Sequence, residues 1–229
     1  MMKPKVYFTR RTDKEGLLEL YQRLGVTLEG NVAVKLHSGE KGNQNYVRPE
    51  FVRPLIELVQ GTVVECNTAY DGARNSTKKH LELMQEHGWS KYFRVDILDA
   101  NQDLELAIPN GMTIKKNYIG ADLKNYDSML VLSHFKGHPM GGFGGAIKQL
   151  SIGCASSAGK AYIHTAGKTT DQTKLWNLVA PQNQFLEAMA DAATSVVEYL
   201  KGKIVYINML VNLSVDCDCC AVAEDPCMQ

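Results

Sequence analysis

The sequence has no long apolar run. Its best candidate, residues 204–215, is twelve residues long and contains Asn208 and Asn212, whereas a membrane span needs roughly 20 apolar residues. Membrane insertion is therefore not expected. Residues 1–11 carry charges but no apolar stretch, so they do not read as a secretory leader. Excess charge is also missing: 25 basic residues balance 25 acidic ones, which gives no global reason to expect nucleic acid or an anionic membrane surface as partner. There is no internal repeat and no biased segment. With 45% apolar and 22% charged residues the composition is that of a globular protein. A chain of 229 residues then predicts a single α/β domain over residues 1–229. Six cysteines without a leader point to a reducing compartment, the cytoplasm, and to thiols or metal ligands rather than disulfides.

The first hundred residues alternate strand and helix patterns. Apolar runs at residues 6–9, 31–36 and 62–66 read as strands. Helices are expected at 15–24 before Gly25, at 48–60 with Pro49 in its first turn and Gly61 as stop, and at 77–87 before Gly88. Pro54 is expected to kink the second of these or to delay its start. Such alternation predicts a mostly parallel sheet with crossover helices. Residues 104–108 and 112–119 flank Pro109-Asn110-Gly111, which reads as a hairpin insertion because Asn-Gly supplies φ > 0. Residues 128–133 read as a buried strand, and a short helix is expected from Ala146. The clearest helix spans 185–200, with Phe185, Met189, Ala192, Ala193, Val196, Val197 and Leu200 on one core-facing side and Gly202 as its end. A last strand is expected over 203–214.

One segment stands apart. Residues 128–170 contain no Asp or Glu, yet hold Lys136, Lys148, Lys160, Lys168, His134, His138, His164 and eight of the nineteen glycines. A basic, glycine-rich loop that follows a buried strand is where a small anionic molecule is expected, because strand ends and helix N-termini there offer N–H groups and a favourable dipole. His134, Lys136, Gly141, Gly142, Gly144, Gly145 and Lys160 are the substrate-binding candidates. Imidazoles can move protons or bind metal, and a lysine among like charges can become a nucleophile.

Phosphate signatures fail. A P-loop ending at Gly167-Lys168-Thr169 would need glycine at Tyr162, and one ending at Gly159-Lys160 would need it at Cys154; GGFGGAIK fits no dinucleotide fingerprint. The cysteines offer another chemistry. Cys217, Cys219, Cys220 and Cys227 fall within eleven residues, and four thiolates so close are candidate ligands for an iron–sulfur cluster or another metal such as zinc. Their spacing is neither a ferredoxin run nor a paired zinc ribbon. Cys66 reads as a core thiol, and Cys154 as a core thiol or an additional ligand.

SHFKGHPMGGFGGAIKQLSIGCASSAGK, together with NTAYDGARNSTKKHLELMQEHGW upstream and VNLSVDCDCC near the end, resembles the domain of unknown function 362 family from about Asn31 onward. Members of that family are often described as iron–sulfur-centre proteins, so the resemblance implies a metal-binding protein of redox type with a redox partner protein. Many carry an inserted ferredoxin module after the segment resembling AGKAYIH; the interval here, TAGKTTDQTKLWNLVAPQ, has no cysteine. Relative to the family the chain is expected to be shortened at its C-terminus. The stretch from His138 to Lys148 also looks like the histidine–GFSGG–lysine motif of the lactate racemase family. That likeness implies His138 as proton acceptor, Lys148 as carrier of a nickel-pincer nucleotide, and His164 as nickel ligand. The implied activity is isomerisation of a small hydroxy acid. His80 and His87 read as ordinary helix-surface residues. The functional expectation is a metal-binding oxidoreductase-type protein with a basic anion site; a racemase-like enzyme or a non-catalytic anion-binding module are the alternatives.

Overall fold

The structure, a computed structural model, describes residues 5–211 and residue 213. Helix α1 (Lys14–Leu24) starts where the Asp13 carboxylate accepts the Gly16 N–H at 2.6 Å, and it ends at Gly25, which takes a left-handed conformation with φ 62°. Strand β1 (Val32–Lys35) leads to α2 (Pro49–Leu58), which runs through Pro54 without a break. Next come β2 (Thr62–Glu65), α3 (Thr77–Glu86), the single turn α4 (Trp89–Tyr92) and β3 (Val95–Ile97). The hairpin β4 (Asp103–Ala107) and β5 (Lys116–Gly120) follows, then β6 (Ser128–His134). A small hairpin, β7 (Lys136–His138) and β8 (Gly142–Gly144), precedes α5 (Ala146–Leu150), α6 (Ser157–His164), α7 (Gln182–Tyr199) and β9 (Ile204–Met209).

The main sheet is parallel throughout, in the order β3-β2-β1-β6-β9. Because successive side chains alternate between faces, each inner strand feeds two cores. Val34, Val63, Leu130 and Leu132 pack with Leu17, Val52 and Leu55 of α1 and α2. Ala33, Val64, Met129 and Val131 pack on the opposite face with Leu150, Ala193 and Val196 of α5 and α7. Burying each such larger aliphatic side chain contributes about 1.5–3 kcal/mol. The expected α/β fold with a hairpin insertion is thus what the chain adopts. No helix among the described residues is long and apolar enough to cross a membrane.

Three expectations need correction. Residues 6–9 form no strand: Val6 and Phe8 are exposed, and the apolar run finds no partner strand. The β4–β5 pair is antiparallel, but its second strand begins at Lys116 rather than at 112, and neither Asn110 nor Gly111 has positive φ. The connection is instead pinned by α7, where Asp191 accepts the N–H groups of Met112, Thr113 and Ile114 at 2.9, 2.7 and 2.9 Å. His80 is not a surface residue. It is fully buried with Leu83 and Met84 on one face of α3, the i, i+3, i+4 pattern of a core stripe. His87 is half-buried, 2.9 Å from the Ser38 carbonyl oxygen and stacked on Tyr46.

Candidate functional site

The strand order reverses direction between β1 and β6. From β1 the chain moves outward through α2 to β2, while from β6 it moves the other way to β9. In open parallel sheets the crevice at the carboxyl ends of two such strands is where ligands bind. Here a cavity of about 640 Å³ lies at that place. Its walls come from the ends of β1, β2 and β6, the β7–β8 hairpin, α5 and α6.

One wall is an ion-paired network. Lys35 ends β1 and Glu65 ends β2, and both are buried. The Lys35 Nζ donates to Glu65 Oε2 at 2.5 Å and to the Leu36 carbonyl at 2.6 Å. Glu65 Oε1 accepts from the Ser38 N–H at 2.9 Å and the Ser38 hydroxyl at 3.1 Å, and Arg74 Nη1 lies 3.5 Å away. Arg74 also pairs with Glu40, whose carboxylate accepts the Tyr70 hydroxyl at 2.8 Å. Burial opposes the charge on Glu65, but Lys35 and Arg74 outweigh it and hold the carboxyl far below its usual range. Glu40 is held at about 2: burial works against its charge, and Arg74 overcomes it. His80 sits behind this wall, its Nδ1 3.4 Å from Asn67 Oδ1, and burial pushes it down to about 3. Lys35, Glu40, Glu65 and Arg74 were not singled out in the sequence, and His80 reads there as a surface residue. The available signal was a charged residue closing each of two apolar strands, VAVK and TVVE.

The opposite wall comes from the acid-free segment. His134, Lys136, His138, Gly144, Gly145, Lys148, Lys160 and His164 all border the cavity. Gly141 and Gly142 do not line it; they shape the β7–β8 turn, where Gly142 has φ 73°. Gly144 leaves room for two lysines, since a Cβ there would stand 3.3 Å from Lys148 Cδ and 3.9 Å from Lys136 Cγ. Lys168 is exposed and outside the cavity. Lys160 is buried, with its Nζ 2.5 Å from the Ala155 carbonyl oxygen, and burial lowers its pKa.

Two histidines have ring protons placed by their partners. His138 Nδ1 accepts the Gly141 N–H at 2.9 Å, so a neutral ring carries its proton on Nε2. His164 is the reverse: its Nδ1 lies 2.7 Å from the Lys160 carbonyl, which only accepts, so Nε2 keeps the lone pair. His164 stacks on Phe185, and burial pushes its pKa down to about 4. His134 Nε2 lies 2.5 Å from the Val211 carbonyl oxygen.

Cys66 and Cys154 are buried, and the Cys66 thiol donates to the Cys154 carbonyl at 3.3 Å. Burial raises both, Cys154 to about 11, so both are core thiols in the protonated form. Cys217, Cys219, Cys220 and Cys227 lie outside the described residues. Among the described residues no three His, Cys, Asp or Glu side chains are grouped so as to hold a metal ion.

No curated protein matches the chain. The family described as a domain of unknown function, DUF362, matches residues 32–229, a span that contains every strand of the sheet and every residue of the cavity. The chain belongs to the DUF362 family.

Proposed function

We propose that the chain binds a small organic acid in the switch-point cavity, and that His138, Lys148 and His164 act on it there. The observation that supports this reading is convergence. Lys136, Lys148 and Lys160 meet His134, His138 and His164 around one cavity. Its two described carboxylates, Glu40 and Glu65, are engaged by Arg74 and Lys35. The volume, about 640 Å³, lies within the 300–1,000 Å³ that is usual for small-molecule sites. Ile152, Leu175 and Trp176 supply apolar wall for the carbon skeleton. In this arrangement Lys136 and Lys148 hold the carboxylate, His138 donates from Nε2, and His164, whose Nε2 keeps a lone pair, accepts a proton.

The test is calorimetry with L-lactate, L-malate and citrate, using glycerol as the uncharged control. The acids bind and glycerol does not. Lys148→Gln weakens the acids by about 10–100-fold, the value of one charge-assisted hydrogen bond of about 1.5–3 kcal/mol. Equal binding of glycerol, or acids indifferent to Lys148, would refute the reading.

A second reading is favoured by the placing of His138, Lys148 and His164 on one cavity. Lys148 would tether a nickel-pincer nucleotide and His164 would offer Nε2 to its metal, a donor set that fits because the Nδ1 proton is already engaged. Bound there, the group would supply a hydride acceptor for a hydroxy acid. The iron–sulfur reading on Cys217, Cys219, Cys220 and Cys227 rests on their clustering in the sequence. Iron, nickel and zinc measured per chain after anaerobic purification separate the two. Iron with acid-labile sulfide, lost in Cys217→Ser, supports the cysteines. Nickel with a mass adduct, lost in Lys148→Ala, supports the tether.

A further inference from the structure

Lys35, Arg74 and Lys160 are buried cations of the cavity wall, and their contacts differ in kind. Lys35 is held by the Glu65 carboxylate, and Arg74 by Glu40 and Glu65. Lys160 is not. It stands on α6 with 6% of its surface exposed, and its Nζ donates to a neutral acceptor, the Ala155 carbonyl, at 2.5 Å. Of the carboxylates whose fields reach it, Glu65 is paired with Lys35 and Arg74, and Asp99 uses Oδ1 on the Asn67 N–H at 2.9 Å and Oδ2 on the Ser157 N–H at 3.1 Å. An ammonium has three donors to satisfy, and one buried against a single carbonyl is poorly solvated. A neutral amine in the same place satisfies one donor and keeps a lone pair. The thiols of Cys66 and Cys154 add no anion to this corner. A desolvated amine beside a site for organic acids has the properties of a carbonyl-capturing nucleophile.

We infer that Lys160 captures the keto carbon of a 2-oxo acid as an imine, while the acid's carboxylate is held on the Lys136–Lys148 side of the cavity. This inference rests on the organic-acid reading of the same site. In the step, the amine lone pair forms the C–N bond and the carbonyl oxygen takes up a proton. The carbinolamine then loses that oxygen, together with the two hydrogens that began on nitrogen, as one water. Nothing is oxidised or reduced. His164 follows Lys160 by one helical turn, lines the same cavity, and keeps a nitrogen lone pair to pass the proton. Lys35 and Arg74 do not compete for this role, because each is already held in a buried ion pair.

The full chain is incubated with pyruvate or 2-oxoglutarate and sodium cyanoborohydride, which reduces an imine to a stable secondary amine. Intact mass and peptide mapping then locate the product, with calorimetry of the same acids run in parallel. One adduct per chain is expected, on the peptide that contains Lys160. It is absent in Lys160→Met and retained in Lys168→Gln, which changes an exposed lysine outside the cavity. If Lys160→Met does not fold, the mapped position in the unaltered chain decides. Oxo acids that bind but leave no adduct, or an adduct on Lys148 or scattered over surface lysines, overturn the role of Lys160 and leave the organic-acid site standing. Failure of both oxo and hydroxy acids to bind overturns the site itself, and this inference with it.

Discussion

The ion-paired wall gives the sharpest physical test, the substitution Glu65→Gln. Glu65 is 3% exposed and holds four groups: Lys35 Nζ at 2.5 Å, Ser38 N at 2.9 Å, Ser38 Oγ at 3.1 Å and Arg74 Nη1 at 3.5 Å. Glutamine keeps the shape but removes the charge and turns an NH2 toward donors. Breaking a buried pair from one side costs about 3–5 kcal/mol, because the partner charge stays behind uncompensated. For a chain of this length each kcal/mol moves Tm by about 2–4 °C, so a fall of about 6–20 °C is expected. The pH dependence has a definite sign. Against the cost of burial, Lys35 and Arg74 depress the folded-state pKa of Glu65. Its contribution is therefore fully present above the unfolded carboxylate value of about 4.3 and is lost as pH falls below it. Glu40, at about 2 in the folded chain, behaves the same way. Guanidinium unfolding at pH 7 and pH 3 reads both effects: the variant is less stable at pH 7 and loses less on acidification. Pairing Glu65→Leu with Lys35→Met removes both charges and is expected to restore much of the loss seen in either single variant. A Glu65→Gln chain within about 1 kcal/mol of wild type at pH 7 would refute the reasoning, since that is the range of an exposed pair.

Asp191→Asn removes the charge that gathers three N–H groups of the β4–β5 connection, and urea unfolding should show a loss of about 1.5–3 kcal/mol; an unchanged midpoint would mean the loop holds itself. His80 and His164 are kept neutral by burial, with values of about 3 and 4, against about 6.5 when unfolded. Their contribution is present above about pH 6.5 and lost as pH falls toward those values, so His80→Gln should flatten the decline of Tm between about pH 6.5 and 4, and an identical decline would contradict it. Gln149→Glu puts a carboxylate into the acid-free wall almost without change of shape. Two unit charges about 8 Å apart repel by about 2 kcal/mol at an effective dielectric constant of about 20, so citrate should bind about 30-fold more weakly than to Gln149→Met at equal Tm. Equal affinities would show that the wall does not act through its charge.

What the sequence made legible divides along physical lines. Helices with local signals were readable: Gly25 ends α1, Pro49 starts α2, and the stripe from Phe185 to Leu200 marks α7. Residues 6–9 misled because a strand is completed by its neighbour, and alternation in one segment says nothing about whether a neighbour exists. The Asn110-Gly111 signal misled because α7 supplies, through Asp191, what a tight turn would have supplied locally. In the site, the cations of the acid-free segment were readable because the missing acids are a property of one continuous stretch. Lys35, Glu40, Glu65 and Arg74 were not, because each is an ordinary charge until parallel pairing of β1 with β2 brings two strand ends together. His80 repeats the lesson at the scale of one helix, since its burial follows from spacing to Leu83 and Met84 only if imidazole is counted as able to enter a core.

The two walls differ in how their charge is arranged, although the chain as a whole has zero net charge. Glu40 and Glu65 come from the same part of the chain as Lys35 and Arg74 and form ion pairs with them. A wall built this way is rigid, because each buried charge is satisfied only in one geometry. The facing wall is built from residues 128–170, a segment that itself contains no carboxylate. It is also the wall rich in glycine and in histidine, so it can approach a ligand closely and exchange protons with it. Under the proposed function, positioning falls to the first wall and chemistry to the second. That separation is why perturbing Glu65 should be read first in stability, and perturbing Lys148, Gln149 or Lys160 first in what the cavity binds.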